Sequence, residues 1–358
     1  MNAPFPHTRQ TLRIANLDEP DECARINAFL DDHAEATPFH RPEWLTAVAR
    51  GTGSPAFALV SERGSQLGTY LPLSIIHSPL FGRLLASSGF AVGGGALVSH
   101  GCDPGALFAA AEELAQRLST PAIELRGGAL PHGRSGWQIK DQSHCGFIAT
   151  LAADDEAQLL SIPRKQRAEV RKSLEQALEI TVGTAELDRV AHYCVYAESV
   201  RNLGTPVFPR SLFDAVLDQF GEYADILTVS HAGQPVSSVL SLYHRGAVMP
   251  YWGGGVWAAR GLRANERMYY ELMLHARRRG CSHFDFGRSK TGSGAYEFKR
   301  NWGFEPEPLS YASWTAPGMK ARDADPTSAK HARQIALWRR LPLALANRFG
   351  PLIARGLG

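Results

Sequence analysis

The sequence predicts a mixed α/β protein built from one unit used twice. Three observations carry that prediction. Strands alternate with helices along the chain, which points to layered α/β sheets rather than a β-sandwich or a helical bundle. Glycine triplets recur at Gly93-Gly94-Gly95 and Gly253-Gly254-Gly255, each after an apolar strand. The order hairpin, strand, glycine-rich turn, helix, strand occurs in both halves, and so many elements aligned in the same order mark a duplication.

The elements follow in turn. Phe57 to Ser61 and Leu67 to Leu73 are apolar runs joined through Arg63-Gly64-Ser65-Gln66, the pattern of a β-hairpin. A helix is expected over Ala106 to Leu118, feeding a strand at Ala122 to Arg126. Between Leu151 and Ile162 the polar run Ala152-Ala153-Asp154-Asp155-Glu156 marks a boundary. A basic helix is expected next, with Ser161 as its N-cap and Pro163 in its first turn, where a missing N–H costs little. Two extra helices, roughly Ala185 to Arg201 and Arg210 to Phe220, open the second half. The second hairpin pairs Ile226 to Ser230 with Val236 to Leu242, followed by a helix over Asn265 to Arg278 and a strand at His283 to Phe286. The expected domains are 11–151 and 152–316, with 317–358 a linker and tail.

With 358 residues, of which 44% are hydrophobic, each half can build a core. A net charge of +3 is too mild to argue for DNA. The five cysteines are scattered without a CxxC pair, the usage of a reducing compartment. No secretory signal, apolar run of spanning length or metal-ligand spacing stands in the sequence, so a cytoplasmic, metal-free protein is expected.

Four segments carry candidate chemistry. Phe284-Asp285-Phe286-Gly287-Arg288-Ser289-Lys290 ends an apolar strand on an acid and a glycine, and Tyr296, Lys299 and Trp302 follow on a short amphipathic helix. Small residues let a ligand approach the backbone, while the helix brings a cation and aromatic surfaces to the same mouth. On the basic helix, Arg164, Lys165, Arg167, Arg171 and Lys172 share one face opposite Val170, Leu174 and Ala177. Cations in the first turns, where the helix dipole also favours anions, suit a phosphate-bearing ligand; the other reading is a solvated face. The glycine-rich turn from Gly255 through Arg260, Gly261 and Ala264 precedes a helix and is a candidate pyrophosphate loop. Arg201 and Thr205 gather with Asn202 where a helix stops at Gly204-Thr205-Pro206.

These motifs resemble the FemAB family of GNAT-like acyltransferases. Within it they resemble the bacterial subgroup associated with exosortase/PEP-CTERM exopolysaccharide loci, and CelD/BcsL-type acetyltransferases share the general pattern. The matching segments are Ile162 to Arg167, Gly204-Thr205-Pro206, Phe284 to Lys290 and Phe298 to Phe304. The resemblance implies two tandem GNAT-like domains. It also implies transfer of an acyl or aminoacyl group to an amino or hydroxyl group of a cell-envelope or exopolysaccharide precursor, lipid-linked or nucleotide-linked. Lys299 occupies the family's lysine position and would hold a phosphate or stabilise an oxyanion. Asp285 would orient or deprotonate the acceptor, or cap its loop. Arg288, Tyr296 and Trp302 would contact the ligand. The donor is acyl-CoA or aminoacyl-tRNA, with no permanently bound cofactor; the helical arm of longer family members is absent, which disfavours tRNA. An acetyl-CoA-dependent sugar acetyltransferase and a non-catalytic saccharide-binding scaffold are the alternatives. Beyond Pro317, a polar run to Pro326 precedes a tail from Lys330 to Gly358 that mixes arginines with Trp338 and leucines. Such a segment suits peripheral contact with an anionic inner-membrane surface, or packing on a protein.

Overall fold

The computed structural model describes residues 11–64, 66–78, 82–319 and 332–358. The linker from Lys320 onward, Lys330 and hairpin residue Ser65 lie outside the described residues. The chain forms two compact units, one of residues 1–141, 309–325 and 352–358, the other of residues 142–308 and 326–351.

In the first unit, β1 (Thr11–Ile14), α1 (Pro20–Asp32), α2 (Pro42–Thr52), β2 (Ala56–Arg63), β3 (Gln66–Ser78), β4 (Gly82–Ser87), β5 (Leu97–Val98), α3 (Gly105–Arg117), β6 (Ala122–Arg126) and β7 (Trp137–Gly146) follow one another. The second unit holds β8 (Ile148–Thr150), α4 (Asp155–Ser161), α5 (Arg164–Leu174), β9 (Leu178–Gly183), α6 (Glu186–Leu203), α7 (Arg210–Phe220), β10 (Ala224–His231), β11 (Gln234–His244), β12 (Ala247–Gly255), α8 (Ala259–Leu262), α9 (Ala264–Arg278), β13 (His283–Asp285), β14 (Ser289–Lys290) and α10 (Gly294–Asn301). Then β15 (Glu307–Thr315), α11 (Ala332–Arg340) and α12 (Leu343–Ala354) close the chain.

The expected duplication is present. β2–β3–β4–α3–β6 repeats as β10–β11–β12–α9–β13, and in both copies the strands flanking the helix are the parallel pair, Leu85 with Ile123 and Val248 with Phe284. Upstream, β1–α1–α2 repeats as β9–α6–α7. The helices read as additions to the second half are therefore part of the repeat. Each crossover strand is also covered antiparallel by a strand from outside the repeat: β15 on β6, and β8 on β13. Hence 309–315, expected in the second domain, belongs to the first unit, and the division at residue 141 precedes the boundary expected near 151.

Two-residue periodicity shows where each sheet face points. In β2, Leu59 packs toward α3 with Leu71, Leu73, Phe108 and Leu114, while Ala58 and Val60 pack toward α1 and α2 with Ile26, Leu45 and Tyr70. The second unit has a sheet of order β8-β13-β12-β11-β10-β9. Its main core joins Val239, Val248, Met268, Leu272, Phe284, Phe286, Trp302 and Phe304. One carboxylate is taken into this unit. Asp225 on β10 accepts the Tyr243 hydroxyl at 2.9 Å from both of its oxygens, and lies 2.9 Å from His275 Nε2 and 3.1 Å from Arg279 Nη1. Burial and this carboxylate together hold the Tyr243 phenol well above its ordinary value.

Two details of the basic helix differ from expectation. Ser161 ends α4, whose N-cap is Asp154 accepting from Ala157 N–H at 2.7 Å; α5 starts separately at Arg164 behind Pro163. The break follows from Pro163, which disfavours helical geometry at Ile162. Of the apolar face, Val170 is buried but Leu174 and Ala177 are exposed.

Candidate active site

The second unit carries an opening in the middle of its sheet. β12 and β13 pair only at Ala247–His283 and Val248–Phe284. Beyond that point β12 runs on to Gly255 along β11, whereas β13 stops at Asp285 and the Phe286 N–H turns to the Phe147 carbonyl at 2.7 Å. Among the described residues, β12 therefore has no strand partner on that side from Met249 to Gly255. Its backbone N–H and C=O groups are the natural ligands for an extended, amide-containing guest.

At the end of this open edge the chain passes through α8 into α9. The α9 N-cap is Arg263, in the left-handed region at φ +55° and with no capping side chain; Ala264 behind it is fully buried, and the Glu266 carboxylate accepts its own backbone N–H, so the positive end of the helix dipole is left without an N-cap side chain. Gly255 is required by space: a Cβ there would lie 2.5 Å from Asn265 Oδ1 and 2.7 Å from Ala259 Cβ. Asn265 is fixed in turn by the Ser237 hydroxyl, which donates to it at 2.7 Å. Arg260 stacks on exposed Trp257, 4.4 Å from the ring centre, and the Trp257 N–H donates to Glu198 at 3.0 Å. A Cβ on Gly261 would meet nothing within 4 Å. Arg263 Nε lies 2.6 Å from Glu169 of α5, which brings the basic helix beside the α9 N-terminus. Lys172, 2.7 Å away, holds the Glu169 carboxyl below its usual range.

The opposite wall is the turn after β13. Asp285 Oδ1 accepts the Gly287 N–H at 2.8 Å, and Gly287 takes φ +69°, a conformation that suits glycine. Lys299 ties this turn from inside: Nζ donates to the carbonyls of Gly287 at 3.1 Å and Arg288 at 2.9 Å. It lies 5.3 Å and 5.6 Å from the centres of the Phe147 and Phe286 rings. Burial pushes the Lys299 ammonium down to about 8, against the opposing pull of Asp285; Arg288 adds to the lowering. Burial raises the Asp285 carboxyl, with the Gly287 N–H and Lys299 pulling it back.

Sequence-predicted residues thus separate into groups. Gly255, Ala264, Asp285, Gly287 and Lys299 line or hold the two walls. Arg164 and Lys165 are exposed on the first turn of α5, while Arg167 turns back to donate to the Leu160 carbonyl at 2.9 Å, so it serves the end of α4. Tyr296 is half-buried edge-on to Phe147, with ring centres 5.5 Å apart. Trp302 corrects the expectation: at 3% exposure its ring lies in the core, although its buried Nε1 has no hydrogen-bond partner. Arg201 donates to the Arg339 carbonyl at 3.3 Å, and Arg339 donates to the Leu203 carbonyl at 3.1 Å, so the α6 C-terminus is covered by α11. Thr205 N–H bonds Val200 O at 2.9 Å in the helix-stop geometry.

Sequence reasoning missed three groups here. Glu266, in the first turn of α9, is half-buried, and burial raises its carboxyl above the usual range, the property of a general base. Tyr269, pushed up to about 12 by burial, stands edge-on to Phe286 at 4.8 Å. His192 is enclosed beside Ser238 at 3.0 Å and lowered to about 3 by burial, so it stays neutral at ordinary pH. Only an acid just past an uncapped helix start gave a signal, at Glu266.

Residues 164–300 match the acetyltransferase (GNAT) domain family. No curated protein sequence matches the chain. Among solved structures, the chain is similar to FemX at 15% identity and TM-score 0.60, covering 80% of this chain and 95% of that one. It is similar to a tandem GNAT protein from the clavulanic acid biosynthesis pathway at 12% identity and TM-score 0.58, covering 87% and 100%. A third likeness is to the C-terminal domain of a candidate lysylphosphatidylglycerol synthetase from Agrobacterium fabrum, at 13% identity and TM-score 0.52, covering 82% and 91%. The architecture is therefore a tandem GNAT fold, and the open β12 edge, the α9 N-terminus and the Lys299-tied turn all lie within the residues that match the acetyltransferase (GNAT) domain model.

Proposed function

We propose that the chain transfers an acyl or aminoacyl group to an amino or hydroxyl group of a cell-envelope or exopolysaccharide precursor, using the cleft of the second unit. The observation that carries this reading is the open β12 edge leading to the uncapped N-terminus of α9. An amide-bearing arm fits the edge, and a pyrophosphate fits the helix end. That pairing favours acyl-CoA as donor over charged tRNA. The longest helix among the described residues, α6, has 18 residues. Arg164 and Lys165 add positive charge beside the same helix end. Asp285 and Glu266 are the two acids placed to accept a proton from the acceptor, and Lys299 shapes the wall that faces the transferred group. The precursor class comes from the sequence resemblance, with which the likeness to a lysylphosphatidylglycerol synthetase domain agrees.

Calorimetric titration with acetyl-CoA and CoA tests the donor. Gly255→Ala is expected to weaken binding at least tenfold, because the added Cβ displaces Asn265 and Ala259 at the helix start. Gly261→Ala, with open space around it, is expected to bind as the parent does. Glu266→Gln should leave donor affinity in place and lower turnover by about 10²–10⁴-fold if Glu266 is the base. Binding of charged tRNA alone, with none of CoA, would overturn the acyl-CoA reading.

A further inference from the structure

The last described helix is turned the wrong way round for a soluble surface. α12 buries its small residues, with Ala346 and Ala354 at 1% and 0% exposure and Gly350 packed against Val207. Its large apolar residues point outward: Leu345 is 44% exposed, Phe349 47%, Leu352 65% and Ile353 38%. At 100° per residue Leu345, Phe349 and Leu352 fall on one stripe, with exposed Arg348 and Arg355 along one flank. On α11, Leu337 at 67% exposure and exposed Arg340 continue the same character. Residues 332–358 contain five arginines and no Asp or Glu.

We infer that the exposed face of α12, with Leu337 and Arg340 of α11, docks on an anionic lipid surface. The charge pattern selects this occupant. A protein groove or a second copy of the face is matched by apolar complementarity and mixed charge, whereas two helices whose charged residues are all arginines are complementary to a sheet of phosphate headgroups. The apolar stripe would lie at the level of the headgroups and upper acyl chains, and the guanidinium groups would reach the phosphates. No helix among the described residues is long and apolar enough to cross a membrane, so the contact is interfacial. The inference does not depend on the donor or on acyl transfer.

The test is co-sedimentation of the full chain with vesicles of phosphatidylcholine, with and without about one third phosphatidylglycerol, at low and high salt. The parent is expected to bind the anionic vesicles and to be released by salt. Arg348→Gln with Arg355→Gln should weaken binding about fivefold per arginine, and Leu345→Ser with Phe349→Ser should abolish it. Both pairs alter exposed side chains only, so the melting temperature and CoA titration should match the parent and separate this result from a failure of the catalytic reading. Absence of binding to anionic vesicles overturns the inference, as does equal binding to neutral ones. It is likewise overturned if the parent self-associates through this face, shown by a dimer in sedimentation velocity that Leu345→Ser with Phe349→Ser dissolves.

Discussion

Lys299→Met is expected to remove an alkaline gain in stability that the parent shows between about pH 8 and pH 10.5. Methionine keeps the length of the side chain between Phe147 and Phe286 and deletes the ammonium. In the folded parent this amine ionises near 8, against 10.5 for an ordinary lysine, because burial disfavours its charged form. Below about pH 8 folded and unfolded chains are both protonated, and the full cost of burying the charge is present. Between 8 and 10.5 the unfolded chain binds more protons, so stability rises with pH until both states are neutral. The displacement corresponds to about 3 kcal/mol in total. Urea denaturation of parent and variant at pH 7.5 and 10.5 should therefore show the parent gaining about that much on the variant. A gap that does not change with pH would mean that the amine is solvated and does not tie the Gly287–Arg288 turn.

Asp225→Asn is expected to cost about 3–5 kcal/mol, because it leaves cationic Arg279, His275 and the Tyr243 hydroxyl around a neutral amide with one acceptor oxygen. In a chain of this size the melting temperature should fall by roughly 4–7 °C. The double variant Asp225→Asn with Arg279→Gln should recover part of the loss, since the two charges are directly coupled. Asp218→Asn, which breaks an exposed pair with Arg189, should cost under about 1 kcal/mol by comparison. A small effect at Asp225 would mean that water satisfies the cluster.

What the sequence disclosed depended on how local the cause was. Both hairpins were legible from alternating apolar residues around Gly64 and Gly233, and β6 was legible residue for residue, because their partners lie nearby in the chain. The helix after the second glycine triplet was placed within one residue of α9. The capping of β6 by β15 and of β13 by β8 was not legible, since edge pairing across more than about 130 residues leaves no local periodicity. At the site, Asp285, Lys299 and Gly255 stood out by residue type, yet what Lys299 holds is set by two carbonyls of another element. Trp302 looked like a ligand platform because a helix of eight residues gives too few positions to tell its buried side from its open one. The Asp225 cluster draws on β10, β11 and α9, and no spacing in the sequence announces it.

The covering of β6 by β15 also sets a timetable for synthesis. Roughly 180 residues separate the two strands, so at ribosomal rates of about 5–20 residues per second β6 waits roughly 10–40 s for its neighbour. During that interval it carries an unpaired edge, the kind of surface that recruits other chains. All six strands of the second sheet, by contrast, lie between Ile148 and Asp285 and are translated before β15 begins. The half that emerges first from the ribosome is therefore the half whose sheet is finished last.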